Sequence, residues 1–269
     1  MALAQAGEAA RGATLYVTLE PCAHASQRGP ACADLTASAG LARVVVGCED
    51  PDPRTAGAGI ARLRDAGTLV DLAASPDCIA SLAGYLVRAR LGRPHVTLKL
   101  ALSLDGCIAL ASGESQWITG EAARAHTHAM RARADAILVG GGTHRMDRPS
   151  LDVRLPGLEP RSPARWLLTR NAAPEGWTAL SCPEAIREHP EAQYLFVEGG
   201  AQTAAAFLKP DLVDRLLIYR APLVIGGGKR AVSDIGLTHL AQAHGRWDLS
   251  DRRRLGSDTL EVYERTGAT

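Results

Sequence analysis

Short apolar runs rich in β-branched residues alternate with longer stretches of helical period along this chain, the pattern of an α/β protein. Thr14–Leu19 and Arg43–Cys48 read as buried strands, and between them Ala33–Gly40 reads as a short helix ended by glycine. A helix over Gly59–Ala66 and a strand over Thr68–Leu72 follow. This strand–helix–strand order puts the loop after Leu19 at the carboxyl end of a parallel strand, where open α/β sheets place ligands. Ser81–Leu91 reads as a helix that Gly92-Arg93-Pro94 breaks, so the sequence divides into domains 1–92 and 93–269. The second begins with a strand over His95–Leu102. Further strands are predicted over Ala136–Val139, Arg165–Thr169, Tyr194–Glu198, Arg215–Tyr219 and Thr259–Tyr263, with helices over Glu121–Arg133 and Thr203–Leu208.

Composition narrows the function classes. The 269 residues are 46% hydrophobic and 22% charged, ordinary values for a globular protein with a real core. A net charge of +1 gives no broad field to attract nucleic acid or an anionic membrane, and two Phe and five Tyr make poor stacking platforms. Any bound anion must be held locally. No apolar run approaches the ~20 residues of a membrane span, and the opening residues lack the pattern of a signal peptide. The six cysteines, at 22, 32, 48, 78, 107 and 182, are too dispersed for a disulfide scaffold. The expected location is the cytoplasm, with reduced thiols.

Two constellations carry candidate chemistry. In the first, Pro21-Cys22-Ala23-His24 follows a strand end, and Cys32 lies ten residues after Cys22. Two cysteines and a histidine at such a loop suit a tetrahedral Zn²⁺, although this spacing is far less diagnostic than a C-x-x-C pair. In the second, Val139-Gly140-Gly141-Gly142-Thr143 and Val197-Glu198-Gly199-Gly200 each end a strand in glycines. The latter pair precedes a helix, so free N–H groups and the helix dipole favour an anion there. Neither loop is a G-x-G-x-x-G fingerprint, which argues against a Rossmann domain. The first glycine run alone more often marks a plain turn.

The stretch Ala10–His24, with Cys48-Glu49-Asp50-Pro51-Asp52-Pro53 and Gly57-Ala58-Gly59-Ile60, resembles the second zinc-binding stretch of riboflavin-pathway pyrimidine deaminases. Ser103-Leu104-Asp105-Gly106, Ser112-Gly113-Glu114-Ser115-Gln116-Trp117-Ile118-Thr119 and Val197-Glu198-Gly199-Gly200 resemble, in order, the reductase half of the same bifunctional deaminase/reductase family. The resemblance implies a cytidine-deaminase-like α/β domain, truncated, followed by a dihydrofolate-reductase-like α/β domain. It casts Cys22 and Cys32 as zinc ligands and His24 as a substrate-side residue. The family's His-x-Glu, which supplies the third ligand and the proton-shuttling Glu, is missing from its place. The lone His189-Pro190-Glu191 reads as a turn. A start placed too far downstream, or a fragment, explains this better than loss of deamination, and zinc and deaminase activity are expected only if upstream residues complete the site. The Cys22–Cys32 loop is also one residue longer than the common form, and Asp52 replaces the usual Asn.

For the reductase half, the resemblance implies NADPH held by Ala101, Trp117, Thr143, Asp147, Gly200, Ala201, Gln202, Thr203, Ala204, Ala205 and Ala206. It implies a phosphorylated pyrimidine substrate at Ser115, Arg131, Leu151, Arg154 and Glu198, arginine being suited to bidentate phosphate binding. The reaction would carry a hydride from NADPH to C1′ of the ribosylamino group. Asp105 and Glu198 are the candidate proton donors, with Lys99 a third. His126, His128, His144, His189, His239 and His244 read as surface or capping residues, and Arg252-Arg253-Arg254 as a solvated turn. The family also suggests a homo-oligomer. The expected function is therefore 5-amino-6-(5-phosphoribosylamino)uracil reduction. The complete bifunctional enzyme and a non-catalytic binding module are the alternatives.

Overall fold

The computed structural model describes residues 2–27 and 29–267. The chain forms two compact units, one up to Leu91 and one from Gly92.

In the first unit, helix α1 (Ala2–Ala6) and a 3₁₀ turn lead into strand β1 (Thr14–Leu19). Helix α2 (Cys32–Ser38), β2 (Arg43–Cys48), α3 (Ala58–Asp65), β3 (Leu69–Leu72), α4 (Pro76–Ser81) and α5 (Ala83–Leu91) follow. The strands make an all-parallel sheet in the order β1-β2-β3. Period-2 alternation puts Leu15, Val17, Val44, Val46 and Val70 on one face, against Ile60 and Leu63 of α3. The opposite face presents Tyr16 and Leu69, 72% and 69% exposed. The helix expected over 81–91 is α5, and α4 is a separate short helix ahead of it. Ser75 starts α4 by accepting the Cys78 N–H, with Pro76 at its first position.

The second unit is built on an eight-stranded sheet. Its elements are β4 (His95–Leu102), β5 (Cys107–Ala109), α6 (Glu121–Arg131), β6 (Ala136–Gly140), α7 (Gly141–Asp147), β7 (Ala164–Leu168), β8 (Trp177–Leu180) and β9 (Tyr194–Val197). Helix α8 (Ala201–Leu208), β10 (Arg215–Arg220), β11 (Lys229–Arg230), β12 (Trp247–Leu255) and β13 (Asp258–Arg265) complete it. The strand order is β12-β13-β10-β4-β9-β6-β7-β8, while β5 and β11 pair separately. From β10 to β8 all pairs are parallel; β13 and β12 add antiparallel. Val96, Leu98 and Leu100 face one core with Phe207 of α8, while Ile137, Phe196 and Tyr219 face another with Ala123 of α6. Helices thus cover both faces, which explains near-continuous apolar strands such as β6.

Two readings are corrected here. Arg252–Arg254 lie within β12, an edge strand whose side chains are mostly exposed, so no alternation of buried positions reveals it. The Gly141-Gly142 run starts helix α7 and is not a plain turn. Among the described residues no helix is long and apolar enough to cross a membrane.

Candidate active site

The chain returns from β8 to insert β9 between β4 and β6, then places β10 on the far side of β4. The carboxyl ends of β4, β6 and β9 therefore converge where the connection direction reverses, the position that favours a ligand crevice. A cleft of about 1300 Å³ opens there. That is larger than the several hundred cubic ångströms usual for one small ligand, and leaves room for two molecules.

One wall is made of backbone. Gly140 and Gly200 are the N-cap residues of α7 and α8, and no side chain caps either helix. No side chain caps the first N–H groups of α8, and the dipole of that helix favours an anion. Close packing explains two of the glycines: a Cβ on Gly140 or Gly199 would collide with Thr203. Gly142 differs, because a Cβ there would meet nothing within 4 Å, and Gly200 has only Thr143 Oγ1 at 3.9 Å. These two keep the cradle open. Trp117, 66% exposed, lies across the cleft with the Arg124 guanidinium 4.8 Å from its ring centroid.

The other wall is charged. Glu198, just past β9, receives two hydrogen bonds from Arg131 on α6, Nε to Oε1 at 2.6 Å and Nη2 to Oε2 at 3.0 Å. Arg131 Nη1 also donates to the Asp152 carbonyl at 2.9 Å. Lys99 projects from β4 on the same face as Tyr219, its ammonium 5.8 Å from that ring centroid. Burial would raise the Glu198 carboxyl, but the Arg131 hydrogen bonds and the Lys99 charge outweigh it and hold Glu198 below the usual glutamate value. Burial pulls the Lys99 ammonium below the usual lysine value, opposed by Glu198 and reinforced by Arg131. Leu151 stands in the left-handed region at φ 56°, a strained conformation at the bend that presents the Asp152 carbonyl.

Of the residues singled out from sequence, Ala101, Ser115, Trp117, Arg131, Thr143, Asp147, Arg154, Glu198, Gly200, Ala201, Gln202, Thr203 and Ala206 line the cleft. Ala204 and Ala205 are buried on α8, and Leu151 is buried in the core beside Ile137 and Val139. Asp105 lies outside the lining. Its carboxylate accepts from Ser103 Oγ at 2.6 Å and from the Ile225 and Gly226 amides at 3.1 and 2.7 Å, bonds that bring its pKa down to about 2. A carboxylate so held closes a turn and is a poor proton source.

The surface reading of the histidines holds only for some. His239 does cap a 3₁₀ turn. His128 lines the cleft, its Nδ1 3.1 Å from the Asp152 carbonyl and 3.2 Å from the Arg154 amide, so its tautomer decides which bond it makes. His126 Nδ1 meets the Tyr219 hydroxyl at 2.7 Å. Sequence reasoning also passed over Lys229 and Arg230, which reach the cleft from β11.

In the first unit the loop after β1 is held by Glu20, whose buried carboxylate accepts the amides of Asp50, Gly57 and Ile60. Cys22 and Cys32 lie side by side, the Cys32 N–H donating to Cys22 Sγ at 3.3 Å. His24 Nδ1 sits 3.3 Å from Thr55 Oγ1. Among the described residues no three His, Cys, Asp or Glu side chains gather to hold a metal. A catalytic zinc takes three protein ligands, so the residues present do not fit one.

Comparison with known proteins agrees with this picture. The family model described as the RibD C-terminal domain matches residues 94–181 and 182–260. The riboflavin biosynthesis protein RibD of Mycobacterium tuberculosis is 38% identical over 277 residues, covering 97% of this chain and 80% of its own. That of Escherichia coli is 36% identical over 307 residues, covering 96% and 83%. Among solved structures, Acinetobacter baumannii RibD superposes with a TM-score of 0.85 at 33% identity, over 98% of this chain and 84% of that one. A diaminohydroxyphosphoribosylaminopyrimidine deaminase/5-amino-6-(5-phosphoribosylamino)uracil reductase from Thermotoga maritima gives 0.80 at 28% identity, over 95% and 80%.

Proposed function

The chain belongs to the RibD family of riboflavin biosynthesis proteins and carries that family's C-terminal domain, and from this premise we propose that the cleft of its second unit is the active site of an NADPH-dependent 5-amino-6-(5-phosphoribosylamino)uracil reductase. The observation that carries this reading is the meeting, in one cleft, of an open glycine cradle at two helix starts with a half-buried lysine facing a carboxylate–arginine pair.

The cradle of Gly142, Thr143 and Gly200–Thr203 suits the cofactor's diphosphate, and exposed Trp117 offers a face to stack upon. Bound NADPH supplies a hydride at nicotinamide C4. Reduction at C1′ would break the bond to the ring oxygen, which would then need a proton. Lys99 is the donor in this reading. Its cationic form is destabilised by burial, which makes it the stronger acid, while the Glu198 charge opposes that shift. Arg131 is committed to Glu198, so its part is to hold that carboxylate ionised. Arg154, mostly exposed and paired with Asp152 at 3.0 Å, and His128 beside it are the groups this reading places at the substrate phosphate. No deamination step is assigned to the first unit.

Titration of NADPH into the wild type and Gly142→Val, followed by NADPH oxidation with the pyrimidine substrate, tests the assignment. A Cβ at Gly142 meets nothing within 4 Å, so the valine adds its bulk on the open side and should weaken NADPH by at least about tenfold, roughly 1.4 kcal/mol, with little change in unfolding. Equal affinity for both proteins would remove the cradle from the site.

A further inference from the structure

Helix α6 grips the segment 150–154 through two side chains that stand one turn apart, His128 and Arg131. Arg131 Nη1 donates to the Asp152 carbonyl at 2.9 Å. His128 Nδ1 lies 3.1 Å from the same carbonyl and 3.2 Å from the Arg154 amide nitrogen. Ser162 Oγ fixes the residue between them, accepting the Val153 N–H at 3.0 Å. The Arg154 guanidinium, which lines the cleft, rests on Asp152 Oδ1 and Ser150 Oγ at 3.0 and 3.1 Å. These bonds determine the tautomer of the ring. A backbone N–H can only donate, so the Arg154 amide needs a lone pair at Nδ1, and it has no other acceptor among the described residues. The Asp152 carbonyl is already served by Arg131 and needs no proton from His128. Burial and the facing charges of Arg131 and Arg154 push the ring below the usual histidine value, outweighing the Asp152 carbonyl and Glu198, so it is neutral at neutral pH.

We propose that His128 is a positioning residue for the phosphorylated pyrimidine: a neutral imidazole, protonated at Nε2, whose Nδ1 accepts the Arg154 N–H and so sets the bend that brings Arg154 to the substrate phosphate. This role rests on the reductase reading for its ligand, while the tautomer rests on the hydrogen bonds alone. His128 and Arg131 divide the work of holding the bend. Arg131 ties the Asp152 carbonyl to Glu198, and His128 ties the Arg154 amide to α6 by an uncharged bond. That bond leaves the Nε2 proton for a further acceptor. An imidazolium could not do the same, because an N–H at Nδ1 would point at the N–H that Nδ1 now accepts.

The test has a spectroscopic arm and a kinetic arm, both on the full chain. Long-range proton–nitrogen correlation spectra of histidine-labelled protein, with His128→Asn to assign the signal, read which ring nitrogen carries the proton. The expected form is Nε2–H with a bare Nδ1; a proton on Nδ1 would overturn the proposal whatever the activity. In steady-state kinetics His128→Ala should raise KM for the pyrimidine substrate at least about tenfold, with kcat and KM for NADPH within about threefold. His128→Asn, whose side-chain oxygen can stand in for Nδ1, should recover most of that loss, and hydrogen exchange of the Arg154 amide should be slow in wild type and Asn and fast in Ala. An unchanged substrate KM in His128→Ala, or no recovery with Asn, would also overturn it. If His128→Ala folds poorly, the wild-type tautomer and the Arg154 exchange decide. Absence of turnover in the wild type would instead count against the reductase reading, and the tautomer would still be read.

Discussion

Lys99, Glu198 and Arg131 make a three-charge group whose members shift one another, and its chemistry is set by which of them holds the mobile proton. Burial weakens the Lys99 ammonium, whereas Arg131 overcomes burial at Glu198. Lys99→Met should therefore lower the hydride-transfer rate by about 10²–10⁴-fold and leave NADPH affinity within about threefold. In the wild type the same rate should fall with rising pH through a value below the ordinary lysine range, because the protonated amine is the active form. A fall seen only in that ordinary range would put the donor elsewhere. Asp105→Asn should spare the chemical step. Its carboxylate contributes stability that is present above about pH 4 and fades as pH falls toward about 2. The sequence offered all three candidate donors but could not rank them. The amides that claim Asp105 belong to Ile225 and Gly226, far along the chain, and only folding brings them together.

Strand β4 carries the site, and its start is fastened by a buried ion pair. Arg93 donates to both oxygens of Asp214, at 2.6 and 2.8 Å, and Asp214 also accepts the Val96 N–H at 2.8 Å. Asp214→Ala leaves a buried guanidinium and an amide without their acceptor, so urea unfolding of the second unit should show a loss of about 3–5 kcal/mol. A loss under 1 kcal/mol would mean that the pair merely breaks even. His95, next to it, is buried, and desolvation brings its pKa down to about 4. The folded state keeps it neutral while the unfolded chain takes a proton near pH 6.5. Its stabilising effect is thus complete above that value and is lost as pH falls to about 4, by on the order of 3 kcal/mol. His95→Phe should flatten that part of the pH–stability curve. Strands buried on both faces, β4, β6, β7, β9 and β10, were legible as apolar runs. Short β8 and exposed β12 were not, because neither buries enough side chains to imprint a period. Helix α7 hid behind three glycines that weaken helices in isolation and are tolerated here by the tertiary setting.

At the scale of the whole molecule, the two units carry unequal chemistry. The first has an ordered core on one face of its sheet and exposed apolar side chains on the other. Tyr16→Lys with Leu69→Lys should reduce concentration-dependent association in light scattering and move the melting temperature little, since both side chains are already exposed. Unchanged association would place the adhesive surface elsewhere. The second unit gathers residues from several distant segments into one cleft, and the order of the motifs along the chain was enough to suggest the family and part of the lining. The pairing of Arg131 with Glu198 was not readable, since neither motif announces the other.

The most direct measurement of the central claim is single-turnover transfer of deuterium from C4-deuterated NADPH to the pyrimidine substrate, read by the mass of the product. The account predicts one deuterium at C1′ of the ribityl chain, with the step slowed in Lys99→Met. Folded protein that binds both ligands yet yields no labelled product would contradict it.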